Sequence, residues 1–139
     1  MTVAVAHNES PEGHAALLHA AREAQLQDSS LAVLHILDHD LPDSAEHQSV
    51  LSAAVSHSLE TAGLAAVPWT LHTATEAEGR PEALVRLTGE VAADLLVIGS
   101  RRRTPIGKFL LGSTVQRVVL DSPVPVLVVK APRPRPLLP

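Results

Sequence analysis

Asp94 to Lys130 run DLLVIGSRRRTPIGKFLLGSTVQRVVLDSPVPVLVVK. The apolar run Leu95 to Ile98 stops abruptly at Gly99-Ser100, and a loop rich in arginine and lysine follows. Gly112-Ser113 then opens a helical pattern, and a second Val/Leu run closes the stretch. Strand, Gly-Ser turn, basic loop, second Gly-Ser and helix start are together the parts of a phosphate cradle. Ser113 with Gln116 three residues on is the signature of a capping box, so a helix is expected to begin there. The first N–H groups of such a helix lack partners within it and sit at the positive end of its dipole, where an anion finds ready donors.

The rest of the chain is what such a unit needs around it. At 139 residues it is long enough for one domain with a real core. Aliphatic residues abound, whereas Trp69 and Phe109 are its only large aromatics. Aliphatic strands between Ala/Leu-rich helices suit a buried parallel sheet. The shortage of aromatics argues against base stacking, and a net charge of −4 gives no overall pull towards nucleic acid or anionic lipid. No cysteine is present, which removes disulfides, thiol nucleophiles and thiolate metal sites. The chain shows neither a signal-peptide pattern nor an apolar run long enough to span a membrane, so a soluble cytoplasmic protein is expected.

Taken in order, Thr2 to His7 is a strand. Asn8-Glu9-Ser10-Pro11 turns into a helix with Ser10 as N-cap and Pro11 in the first helical position. Leu17, Leu18, Ala21 and Ala24 recur at helical spacing up to about Gln27-Asp28. Leu31 to Leu37 is a second strand, closed by Asp38-His39-Asp40. Asp43 with Glu46 is expected to box the start of a second helix, whose apolar face reads Val50, Leu51, Ala54, Val55, Leu59 and Ala62. Gly63 ends it in the left-handed position. Val67 to Thr73 is a third strand, and Gly79-Arg80-Pro81 opens a third helix that turns Leu84, Leu87 and Val91 inwards. Leu95 to Ile98, Ser113 to Leu120 and Val124 to Val129 complete the set as fourth strand, fourth helix and fifth strand.

Strand alternating with helix indicates βαβ units with right-handed crossovers. The expected fold is an α/β three-layer sandwich: a five-stranded parallel sheet of order 3-2-1-4-5 with four helices. Winding then reverses between strands 1 and 4, and ligands bind outside the carboxyl ends of those strands, here His7-Asn8 and Gly99-Ser100. Pro125 lacks an N–H donor and places the fifth strand at an edge, where its apolar run invites a second chain. Residues 1–131 form the expected domain. The Pro/Arg-rich tail 132–139 fits neither helix nor ladder and reads as a disordered end or an extended arm.

The stretch around the two Gly-Ser pairs closely resembles the glycine motif of the universal stress protein family: Gly, two residues, Gly, nine residues, Gly-Ser/Thr. Gly99 matches its first glycine and Gly112-Ser113 its last pair, with the loop length kept, while Arg102 stands at the middle glycine. The resemblance runs over nearly the whole chain and implies an adenine nucleotide alpha-hydrolase-like fold in a stress-response regulator. It implies binding of ATP or AMP, with Mg2+, and a homodimer joined through Val124 to Val129. The nucleotide-binding residues it implies are Ala6, Asn8, Ile36, Gly99, Ser100, Arg102, Gly112, Ser113 and Thr114.

Asn8 falls where the family has an aspartate that hydrogen-bonds the nucleotide. An amide keeps one acceptor and adds donors, but it gives up the charge-assisted bond. The alternative is that Asn8 and Glu9 only make the turn. Ala6 and Ile36 would wall the adenine or serve as core alone. At Arg102, two outcomes are open: the side chain blocks a pocket that glycine would leave bare, or its guanidinium grips phosphate bidentately with Lys108 beside it. A nucleotide-independent dimeric scaffold of the same fold, its site disabled by Asn8, Glu9 and Arg102, is therefore the second reading.

Other chemistry has little support. Among the eight histidines, His35 and His39 are four apart on a strand and its loop, not on one helical face, and no metal site is expected. There is no Gly-x-Ser-x-Gly elbow and no Walker-type lysine. No carboxylate base stands beside the phosphate loop, so at most weak ATP hydrolysis is expected.

Overall fold

The computed structural model describes residues 1–38, 44–101 and 111–131. Its elements in chain order are β1 (Thr2–His7), α1 (Pro11–Leu26), β2 (Ser30–Leu37), α2 (Ala45–Thr61), β3 (Trp69–Thr75), α3 (Arg80–Glu90), β4 (Leu95–Ser100), α4 (Ser113–Asp121) and β5 (Val126–Lys130). All pairings are parallel and the sheet order is β3-β2-β1-β4-β5, as expected from the alternation of elements.

Period-two alternation splits the core into two layers. Val3 and Val5 of β1, Leu31 and Val33 of β2 and Val97 of β4 pack with Leu17, Ala20, Ala21 and Ala24 of α1 and with Val55 and Leu59 of α2. Ala4, Ala6, Leu34, Ile36, Leu96 and Ile98 face the other way, onto Leu84 and Leu87 of α3 and Val115 and Val118 of α4. β1 sits between β2 and β4, with Val3 to Ala6 buried on both faces. The alanines of α1 let that helix lie close to the sheet, and its first turn comes to rest directly over β4.

Boundaries differ from expectation where caps and packing override local pattern. β3 begins at Trp69, two residues later than the hydrophobic run suggested, because its pairing with β2 starts at Leu31↔Trp69. Ser44 caps α2, its side chain accepting from the His47 N–H at 3.1 Å, so the start assigned to Asp43 moves by one residue; Asp43 itself lies outside the described residues. Val50 and Ala54 of the expected apolar face are exposed, Val50 to 62%, and α2 buries only Leu51, Val55 and Leu59. A three-residue stripe suffices where a helix covers one margin of a sheet. Gly63 has φ +75°, the left-handed geometry expected of it. At α4 the N-cap is Gly112, not Ser113. Gln116 Nε2 donates to the Leu111 carbonyl at 2.7 Å instead of closing a capping box.

Candidate functional site

The sheet reverses direction of winding between β1 and β4, so their carboxyl ends, His7 and Gly99-Ser100, border a crevice at the switch point. Its near wall is the entry to α1. Ser10 uses both capacities of its hydroxyl here: Oγ accepts from Gly13 N–H at 3.0 Å and donates to Asn8 Oδ1, which also accepts from Ser10 N–H at 3.0 Å. Asn8 thus makes the turn that its residue type favours, and Ser10 caps α1 with Pro11 in the first helical position. The Asn8 acceptor being engaged, its amide N–H groups are what Asn8 has to offer a ligand. Ser10→Ala is expected to cost about 1 kcal/mol of stability, read as a lower urea midpoint at unchanged slope.

The floor is Gly99-Ser100. A Cβ on Gly99 would stand 2.5 Å from the carbonyl carbon of Glu12 and closer still to its oxygen, so the glycine lets α1 approach β4. Ser100 is 1% exposed, with its Oγ 3.4 Å from the Arg101 carbonyl. Glu12, in the first turn of α1, is tucked in with its side chain 14% exposed, 3.9 Å from the Nε of the outward-lying Arg101. The far wall is the start of α4: Gly112 and Ser113 are exposed and Thr114 is half-buried. Among the described residues, nothing beyond its chain neighbours lies within 4 Å of a Cβ built on Gly112, and the first-turn N–H groups of a helix lack partners within it. This donor set suits an anionic ligand.

Of the residues singled out in the sequence, Gly99, Ser100 and Asn8 meet at the switch point. Gly112, Ser113 and Thr114 form the helix tip that follows β4. Ala6 and Ile36, each 4% exposed, pack within the core layer facing α3 and α4. Arg102, Lys108, His39 and the tail 132–139 lie outside the described residues.

Two arrangements escaped the sequence reading. Arg80, at the start of α3, joins Asp38 after β2 (2.9 Å) to Glu76 after β3 (3.1 Å), tying the carboxyl ends of two neighbouring strands. The second is a histidine pair: His7 Nδ1 and His35 Nδ1 are 2.9 Å apart, their rings tilted by 45° with centroids at 5.1 Å. The two residues are register partners at the ends of β1 and β2 and point to the α1/α2 side. Burial first, then His35 and His14, lowers the His7 pKa to about 4; burial foremost also lowers that of His35. Both rings are neutral near neutral pH, one Nδ1–H donating to the other Nδ1. Strand parity and parallel register would have predicted this pair, once the two strands were known to start level.

Among the described residues, no group of three or more His, Asp or Glu side chains is placed to hold a metal ion. Nor is any helix among them long and apolar enough to cross a membrane.

The architecture is that of a doubly wound α/β domain whose winding reverses between β1 and β4. Comparison narrows the class: the model of the universal stress protein family matches residues 1–130, and the chain belongs to that family. A universal stress protein of Mycolicibacterium smegmatis is 35% identical over 129 residues, covering 92% of this chain and 96% of its own. The structure of the universal stress protein from Archaeoglobus fulgidus matches with a TM-score of 0.71 at 25% identity, over 94% of this chain and 93% of its own. A universal stress protein in complex with cAMP also matches with a TM-score of 0.71 at 25% identity, over 95% and 98% of the two chains.

Proposed function

We propose that this protein is a stress-response regulator that binds an adenine nucleotide, ATP with Mg2+ or AMP, in the crevice between β1 and β4. The observation that carries the reading is that the Gly99-Ser100 end of β4, with Ser100 buried, lies at the switch point and the chain leads from it to the exposed tip of α4. The cAMP bound by a relative of the same fold supports an adenine ligand. In this reading the first-turn N–H groups at Ser113 and Thr114, with Gly112 and Ser100, receive phosphate, and Arg102 adds a charged fork. Asn8 donates to the ribose, and Ala6 and Ile36 wall the base. Magnesium ion arrives on the phosphates, since the described residues supply no carboxylate cage.

Titration calorimetry with ATP and Mg2+ tests this, and no binding at millimolar nucleotide would sink it. Arg102→Gly is expected to weaken binding by about 1.5–3 kcal/mol, the worth of a hydrogen bond to a charged group. A gain in affinity would instead show that the arginine obstructs the pocket. Residues 1–131 are the proposed domain, so deletion of 132–139 is expected to leave nucleotide affinity unchanged.

The partner we propose is a second copy. β5 ends the sheet, and Val126 to Val129 are all half-buried, leaving an apolar edge for an equivalent strand. Sedimentation equilibrium giving the monomer mass at micromolar protein would refute that dimer.

One observation favours the alternative of a nucleotide-independent scaffold. Asn8 Oδ1 is satisfied by Ser10, and Ala6 and Ile36 are satisfied by core packing, without any ligand. Purification with adenine nucleotide already bound would end that alternative.

A further inference from the structure

Each member of the His7–His35 pair is the chain neighbour of a residue of the proposed site. His7 immediately precedes Asn8, and His35 immediately precedes Ile36. The pair holds one hydrogen bond across the ends of β1 and β2, which requires opposite tautomers of the two rings. A first added proton goes to the outer nitrogen of the donor ring and leaves that bond in place. A second would set two cations against each other at 2.9 Å. The pair therefore has room for one proton but not for two.

The surroundings hold that proton off in the absence of an anion. Burial acts against it first, joined by His14 from α1, His47 from α2 and Arg80 from α3, while Glu9 from the β1–α1 turn and Asp38 after β2 act for it. A polyphosphate in the adjoining crevice changes this balance, because several negative charges at short range in a medium less polar than water favour a cation.

Resting on the nucleotide reading above, we propose that the His7–His35 pair makes the crevice proton-linked: an anionic ligand is taken up together with a proton held by the pair. The coupling is reciprocal, so acidification within the range where the pair titrates strengthens the hold on a phosphate-bearing ligand. Nothing in it requires catalysis, and the pair need not touch the ligand.

The test is a histidine NMR titration of the full chain, alone and with saturating ATP and Mg2+, with adenosine as the uncharged control. The free protein is expected to show two coupled steps for His7 and His35, with non-equivalent tautomers at neutral pH. ATP is expected to raise the first midpoint by roughly half a pH unit or more, and adenosine to leave it in place. Independent titration of the two rings near the ordinary histidine value in the free protein would overturn the pair itself. Nucleotide-induced amide shifts with an unmoved midpoint would overturn the proton linkage alone. A spectrum that ATP leaves wholly unchanged would end both this inference and the nucleotide reading.

Discussion

Gly99→Ala is expected to destabilise the fold by about 2–3 kcal/mol and to disturb the crevice at the same time. The new methyl would stand 2.5 Å from the carbonyl carbon of Glu12, with that residue's oxygen nearer still. These are backbone atoms in the first turn of α1, so no side-chain rotation relieves the contact. Either α1 lifts from β4 or the end of β4 moves away from β1. The first route disturbs the packing of Ala16, Leu17 and Ala20, all essentially inaccessible to solvent. The second breaks the ladder beside Val5↔Val97. A urea denaturation series measures the loss, and a variant as stable as the parent would show that α1 does not bear on β4 at this point. Gly112→Ala is the control. Among the described residues, no heavy atom beyond its chain neighbours lies within 4 Å of a Cβ there and its φ of −62° is ordinary, so the loss is expected to stay within about 1 kcal/mol, the cost of alanine at an N-cap. The two motif glycines thus do different work: the first is demanded by helix–sheet contact, and the second keeps a helix tip clear.

That difference marks how far sequence alone carries. The parallel sheet was legible because β1, β2 and β4 are mainly aliphatic runs between helical patterns, as suits a parallel sheet buried on both faces. The cap at Ser10 was legible because serine before proline has one obvious use at a helix entry. Gly99 was legible as a motif position, but its demand for a missing Cβ comes from Glu12, 87 residues earlier in the chain. Contacts of that separation leave no local trace. The start of α4 at Ser113 was legible, but its cap was not: Ser113 has the composition of a cap, yet Gly112 takes that position and Gln116 donates to the Leu111 carbonyl. Val50 and Ala54 were misassigned because periodicity gives the face of a helix but not how much of it a sheet margin covers. The histidine pair needed the relative register of two strands, which neither strand encodes by itself.

Stability is expected to fall by about 3 kcal/mol through His7 alone as pH drops from 6.5 towards 4. The sign follows from proton counting. The unfolded chain protonates His7 near 6.5, whereas the folded chain resists until about 4 because the ring is buried and faces His35 and His14. Between those values the unfolded state binds more protons, so acid favours it. Above 6.5 the folded state keeps its full advantage, and below about 4 both states are protonated and no further loss comes from this group. His35, lowered chiefly by burial, adds a loss of the same sign over the range below its ordinary value. Other groups also titrate in acid, so the decisive quantity is a difference. His7→Gln removes the ring that titrates, and its stability is expected to decline less than the parent's between pH 6.5 and 4, the two urea-derived curves converging and then crossing as acid is added. The variant begins lower at neutral pH because it gives up the hydrogen bond to His35, worth about 1 kcal/mol. Curves that stay parallel through this window would mean that His7 titrates alike in both states, and that its ring is not held buried at the end of β1 in solution. Convergence would place the acid sensitivity of the whole domain at the end of β1, one residue from the crevice wall.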